Sequence, residues 1–224
     1  MQVWRNRLKR WLPMEIFGAR RLAVFVKSLP KNARVLDVGC GNNSPTKIKL
    51  MRPDVYYVGI DVANYRQPDV AIAYGDEYKI VTPGDFAAEI ANRKGAFDAV
   101  ISSHNIEHCD QPSEVLEAMV NALGPGGRLY FSFPSAASVN FPHRTGTLNF
   151  YDDPTHKTLP DGPALVSALE AKGATVEYCA FRYRPPLYWL LGLLLEPVSA
   201  ISKRVLRGTW AFYGFETIIW AARR

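Results

Sequence analysis

Short apolar runs rich in β-branched residues, each stopped by turn residues, alternate along the chain with segments of helical periodicity. "ARVLDVGCG" (33–41) and "VYYVGIDV" (55–62) have the length and near-continuous apolar character of strands buried on both faces of a parallel sheet. "AFDAVISS" (96–103) and "GGRLYFSFPS" (126–135) repeat that pattern. Between them, "SEVLEAMVNAL" (113–123) puts Leu116, Met119, Val120 and Leu123 on one helical face. Further along, "ALVSALEAKGA" reads as a helix closed by Gly173, "TVEYCAFRY" as a strand and "FETIIWAAR" as a terminal strand. An insertion at 184–213 separates the last two. Strands alternating with helices predict βαβ units, and so an α/β fold with a doubly wound, mostly parallel sheet.

The expected organisation is an amphipathic helical segment over 1–30 followed by one domain over 31–224. In the first part Trp4, Leu8 and Trp11 recur at i, i+4 and i+7 with Arg5, Lys9 and Arg10 between them, up to a break at Pro13. That mixture lacks the continuous apolar stretch of an export signal. The longest apolar run, "LYWLLGLLL" (187–195), ends at Glu196 and Pro197, and nine residues cannot span a bilayer. Cys40, Cys109 and Cys179 stand far apart, so neither a disulfide framework nor a zinc knuckle is implied, and a reducing, cytoplasmic setting is expected. A net charge of +6 over 224 residues calls for an acidic partner, whether nucleic acid, anionic lipid or an anionic substrate.

The chemistry begins where the first strand ends, in "LDVGCGNNS". Gly39 and Gly41 let the backbone pass close to a ligand, and Asp61, at the end of the second strand, can accept from two ribose hydroxyls. A dinucleotide site would want a third glycine where Ser44 stands, and Asp37 adds negative charge just before the loop. A carboxylate there disfavours pyrophosphate and suits a cationic ligand.

With "VLDVGCG", "GID", "YGDEYKI" (74–80), "FDAVISSHNIEH" and "LGPGGRLYFSFPS" in this order over roughly 33–183, the chain resembles the class I S-adenosylmethionine-dependent methyltransferases, within them the type 11 group. The resemblance implies a seven-stranded Rossmann-like sheet whose last strand runs antiparallel. It also implies S-adenosylmethionine as cofactor. Gly39 and Gly41 would approach its methionine portion, with Asp37 alongside. Asp61 would hold the ribose, Asp76 and its neighbour Glu77 would face the adenine, and Ser103 and His104 would lie beside the methyl donor.

"SSHNIEHCD" (102–110) also spells the H-x-x-E-H of one class of zinc proteases, but its position past the fourth strand, on the ligand-binding edge of an open sheet, argues against a protease helix. All four histidines fall in two segments expected to border one pocket: His104 and His108 here, and His143 and His156 after the fifth strand. His108 or His156, with Glu107, is the candidate general base that would deprotonate an acceptor hydroxyl. The resemblance offers a second role, in which Glu107, His108 and His156 hold a divalent metal ion, and mixed N and O ligands suit zinc, manganese or iron better than magnesium. His143, Arg144 and Lys157 are the candidate acceptor-binding residues.

The leading expectation for the acceptor is the hydroxyl of a saccharide or cell-envelope glycan precursor. The alternatives are a lipid, a quinone or another small metabolite. A nucleic-acid acceptor is not expected, because "SHNI" lacks the D/N-P-P-Y/F/W motif of N-methylating enzymes, and a catalytically silent cofactor-binding partner is the remaining class. The insertion reads as an apolar helix followed by a basic one carrying Lys203, Arg204 and Arg207. Such a pair could be a lid or a contact between copies in a homo-oligomer. With the N-terminal helix it could instead form a surface for anionic membrane.

Overall fold

The computed structural model describes residues 21–41, 43–65 and 75–224. The first helix, α1, runs Leu22–Ser28. Then follow β1 (Arg34–Val38), α2 (Ser44–Met51), β2 (Tyr56–Asp61), β3 (Glu77–Ile80), α3 (Phe86–Ala91), β4 (Phe97–Ser103), α4 (Pro112–Ala122) and β5 (Leu123–Pro134). The remainder is α5 (Gly162–Ala171), β6 (Ala174–Ala180), α6 (Pro186–Ser202), α7 (Thr209–Tyr213) and β7 (Glu216–Arg223).

The strands form one seven-stranded sheet in the order β3-β2-β1-β4-β5-β7-β6. β1 lies parallel between β2 and β4, and β7 runs antiparallel to both β5 and β6. The order reverses at β1/β4, so the crevice beyond their carboxyl ends is where such a sheet receives a ligand. One face is covered by Phe86 and Ile90 of α3, Val115, Met119 and Val120 of α4, and Leu169 of α5. Phe25 and Val26 of α1 and Ile48 of α2 cover the other, against Tyr57, Tyr130 and Trp220. Burial on both faces explains why β1 and β2 read as continuous apolar runs.

One expectation needs amendment. The basic part of the insertion is not a helix: Lys203 is left-handed at φ 51° and ends α6, Arg204 forms an isolated bridge with Thr145, and Arg207 lies in the turn before α7. Trp4, Leu8 and Trp11 of the expected N-terminal helix lie outside the described residues.

Candidate active site

The loop after β1 is shaped by what its glycines must avoid. Gly39 has φ +70°, and a Cβ there would sit 2.3 Å from the Asn105 side chain, so only glycine lets the 104–105 turn close against β1. Gly41, at φ +53°, faces open space and donates its N–H to Asp61 Oδ2 at 2.7 Å. Val62 N–H donates to Asp61 Oδ1, also at 2.7 Å. The Asp61 carboxylate is thus fixed by backbone N–H groups, with Ala63 N–H and the Cys40 thiol adding to Gly41 and Val62. Burial raises its pKa against the pull of those bonds. Below the loop, Asp37 accepts from Ser44 Oγ (2.5 Å) and Tyr57 OH (2.8 Å), and burial lifts its pKa to about 6.

Gly39, Gly41 and Asp61 form one side of a cavity of about 470 Å³ whose apolar wall includes Val62, Pro83 and Phe86. Its other side carries His104, His108, Thr155 and Lys157. A nucleoside fits this half: a glycine backbone cradle at Gly39 and Gly41, a carboxylate pre-oriented by backbone N–H groups, and a slot walled by Phe86.

Several expected cofactor residues lie elsewhere. β3 pairs with β2 so that Asp61 is opposite Ile80, which puts Asp76 and Glu77 at the amino-terminal end of the sheet, away from the cavity. There Asp76 holds Lys49 at 2.8 Å and accepts from Tyr57 N–H, while Glu77 pairs with Arg93 and Tyr56. Asp37 supports the loop from beneath rather than lining the cavity. Ser103 turns to Ser132, with the two hydroxyls 3.0 Å apart.

On the opposite side, His104 adopts φ 53°, which breaks any helix through His104, Glu107 and His108; only Ile106–His108 form a short 3₁₀ turn. Its ring lies between two carboxylates, with Nδ1 3.3 Å from Glu107 and Nε2 3.4 Å from Glu216, and it stacks on Phe215 with Trp210 alongside. Burial alone would depress the His104 pKa, but the paired carboxylates outweigh it and lift it to about 10. It is therefore an imidazolium at neutral pH. Glu107 is fully buried, and apart from this ion pair its carboxylate has no aligned hydrogen bond among the described residues.

His108 Nδ1 lies 3.1 Å from Thr155 O, and His156 Nδ1 lies 2.5 Å from Phe150 O. A carbonyl can only accept, so each neutral ring carries its proton on Nδ1 and keeps the lone pair on Nε2. The two rings touch at 4.8 Å between centroids, and His156 is almost buried against Phe150. Glu107, His108 and His156 each offer one ligand atom within 4.8 Å of the others. Two carbonyl-anchored imidazoles and a buried carboxylate short of partners fit a divalent cation.

The structure therefore brings together His104, Glu107, His108, His156 and Lys157, whose backbone N–H donates to Glu107 O. Two other expected acceptor residues stand apart. His143 is 71% exposed and bound to Asp152, and Arg144 is buried in an ion pair with Glu196 on α6. Asn105, Thr155 and Glu216 were missed. Only Glu216 carried a signal, a carboxylate opening an apolar strand, which needs a cation once buried. Cys109 lines the cavity, but burial pushes its thiol up to about 12, so it supplies no thiolate at neutral pH.

Residues 4–178 match the family described as "Methyltransferase domain". A curated relative, the ubiquinone biosynthesis O-methyltransferase of Xanthomonas axonopodis pv. citri, is 33% identical over 108 residues, covering 46% of this chain and 44% of that protein. The chain spans about half the length, or less, of the curated relatives it matches. Among solved structures, a SAM dependent methyltransferase from Archaeoglobus fulgidus superposes with a TM-score of 0.57 at 20% identity, covering 93% of this chain and 92% of that one. An S-adenosylmethionine dependent methyltransferase from Mesorhizobium loti gives 0.61 at 16%, covering 93% and 100%. At such identities the structural likeness speaks for the fold, and the family match extends over most of the sequence. The chain belongs to the methyltransferase-domain family, in its S-adenosylmethionine-dependent class I form.

Proposed function

We propose that this chain transfers a methyl group from S-adenosylmethionine to a hydroxyl oxygen of a phenolic or quinol-type acceptor. The observation that carries the reading is the cavity itself: a nucleoside cradle on one side and His108 on the other, with Glu107 and His156 packed behind it. Bound S-adenosylmethionine supplies an activated methyl group on a sulfonium, so the chain has only to align the acceptor and remove its proton. Asp61 anchors the ribose, the Gly39–Gly41 backbone admits the methionine portion, and His108 Nε2 takes the acceptor proton. The Thr155 carbonyl holds His108 in the tautomer that can do so.

The acceptor class follows from chemistry and from similarity. A phenol titrates near about 10, close enough to imidazole for efficient proton transfer, whereas an aliphatic sugar hydroxyl is far less acidic. Curated relatives are named for O-methylation in ubiquinone biosynthesis, which favours a quinol over the glycan expected from the sequence. A second role for the same cluster rests on the partner-poor Glu107 carboxylate: a divalent cation held by Glu107, His108 and His156 would acidify a bound hydroxyl.

Incubation with labelled methyl donor and a panel of catechols, quinols and saccharides tests the reading. Label is expected on the phenolic oxygens, and exclusive labelling of saccharides would overturn the acceptor class. Chelation followed by metal add-back separates the two roles of the cluster.

A further inference from the structure

α6 is an amphipathic helix turned inside out. Over Pro186–Ser202 its one charged residue, Glu196, faces inward to Arg144 and Tyr213, and Ser199 is buried beside Arg144 and Thr209. Gly192 lies so close to Gly208 that a Cβ would overlap the Gly208 carbonyl, so the polar and small face is sealed against the domain. The outward face is apolar. Leu187, Leu190, Leu194, Val198 and Ile201 follow spacings of three and four, with Leu193 beside them, and exposure rises to 68% at Leu194 and 85% at Ile201. An ordinary surface helix shows the opposite arrangement, and a contiguous apolar stripe of this kind marks an interaction surface.

The charges around the stripe indicate what covers it. Arg182 and Arg184 precede α6, and Lys203, Arg204 and Arg207 follow it, all exposed. From Phe181 to Phe215 the sequence holds these five cations and one acid, the inward Glu196. A second copy docked through this face would set cation against cation with no carboxylate to offset them, which disfavours self-association. An acyl-chain layer beneath a phosphate layer meets both features, with apolar side chains in the centre and cations at both ends. Residues 1–20, with five cations and one acid, join the described chain at Arg21, whose guanidinium lies over the Tyr188 ring of α6 at 5.0 Å. Among the described residues no helix is long and apolar enough to cross a membrane, so the contact would be in the plane of the surface.

We infer that the outward face of α6, with its flanking cations, docks the chain on an anionic phospholipid surface. α6 packs on α7, and Trp210 of α7 touches His104 at the cavity, so docking sets the acceptor side of the cavity near the lipid. The inference is independent of the acceptor, because its test reads binding and not turnover.

The full chain is sedimented with vesicles of phosphatidylglycerol and phosphatidylcholine and with phosphatidylcholine vesicles alone. Co-sedimentation is expected with the anionic vesicles at low salt, and little with the neutral ones or at high salt. Replacing Leu190 and Leu194 together by Glu should weaken anionic binding at least about tenfold with little change in Tm, since the side chains are 47% and 68% exposed. Replacing Lys203, Arg204 and Arg207 by Gln should weaken it about a hundredfold. Wild-type protein left in the supernatant at low salt would overturn the inference, as would either variant binding like wild type. So would gel filtration showing a dimer that the Leu190→Glu, Leu194→Glu change dissociates, for that would assign the face to a second copy.

Discussion

The two sides of the cavity are built by different means. On the cofactor side the working parts are backbone: two glycines at positive φ, and one carboxylate bonded to N–H groups at Gly41 and Val62, on strands in direct register. On the acceptor side they are side chains held by partners far off in sequence. His108 meets Thr155 47 residues away, and His104 reaches Glu216 at the start of β7. The loop after β5 is tied down by Arg144, whose guanidinium contacts Glu196, Ser199 and Tyr213 of the insertion. A ligand common to a whole family can be met by invariant backbone geometry. An acceptor peculiar to one enzyme is met by side chains on loops, which exchange without disturbing the sheet.

If the two sides divide binding from chemistry, single substitutions should separate them. The largest effect is expected for His108→Ala: kcat should fall by about 10² to 10⁴, the usual share of general acid-base catalysis, while S-adenosylhomocysteine affinity measured by calorimetry stays the same. Equal losses in both would mean that the sides are not separable. Arg144→Met removes one partner of a largely buried ion pair and should cost roughly 3 kcal/mol in denaturant unfolding, with the protein unfolding more readily from the loop and insertion. Protease nicking near the 141–158 loop would locate the loss on the acceptor side.

On the cofactor side, Asp61→Ala should weaken S-adenosylhomocysteine binding by about 10- to 100-fold, the worth of a charge-assisted acceptor, and leave α6 and its loop as stable as before. A further test is one of pH. His104 has its pKa raised from about 6.5 unfolded to about 10 folded, so its contribution to stability is complete below about pH 6.5 and is lost as pH rises toward 10. Tm should therefore decline across that range, and His104→Phe should flatten the decline. A wild-type Tm that rises between pH 7 and 9.5 would contradict the imidazolium.

The sequence by itself determined the strands of the sheet and the pairing of the glycine loop with Asp61, because both are local. Continuous apolar runs specify buried parallel strands, and "VLDVGCG" with Asp61 one strand later specifies the ligand cradle within 28 residues. Even here register decided a detail. Asp76 and Glu77 looked well placed by order along the chain, yet pairing Ile80 with Asp61 carried them to the wrong end of the sheet. The acceptor side needed the tertiary structure. No periodicity ties His108 to Thr155, separates the exposed His143 from the buried His156, or turns Arg144 from an expected substrate ligand into the anchor of α6. Nor could hydrophobicity alone tell which face of "LYWLLGLLL" meets solvent. That was settled by Gly192 meeting Gly208 and by Glu196 meeting Arg144, contacts that fix the rotation of α6 and leave its leucines outward.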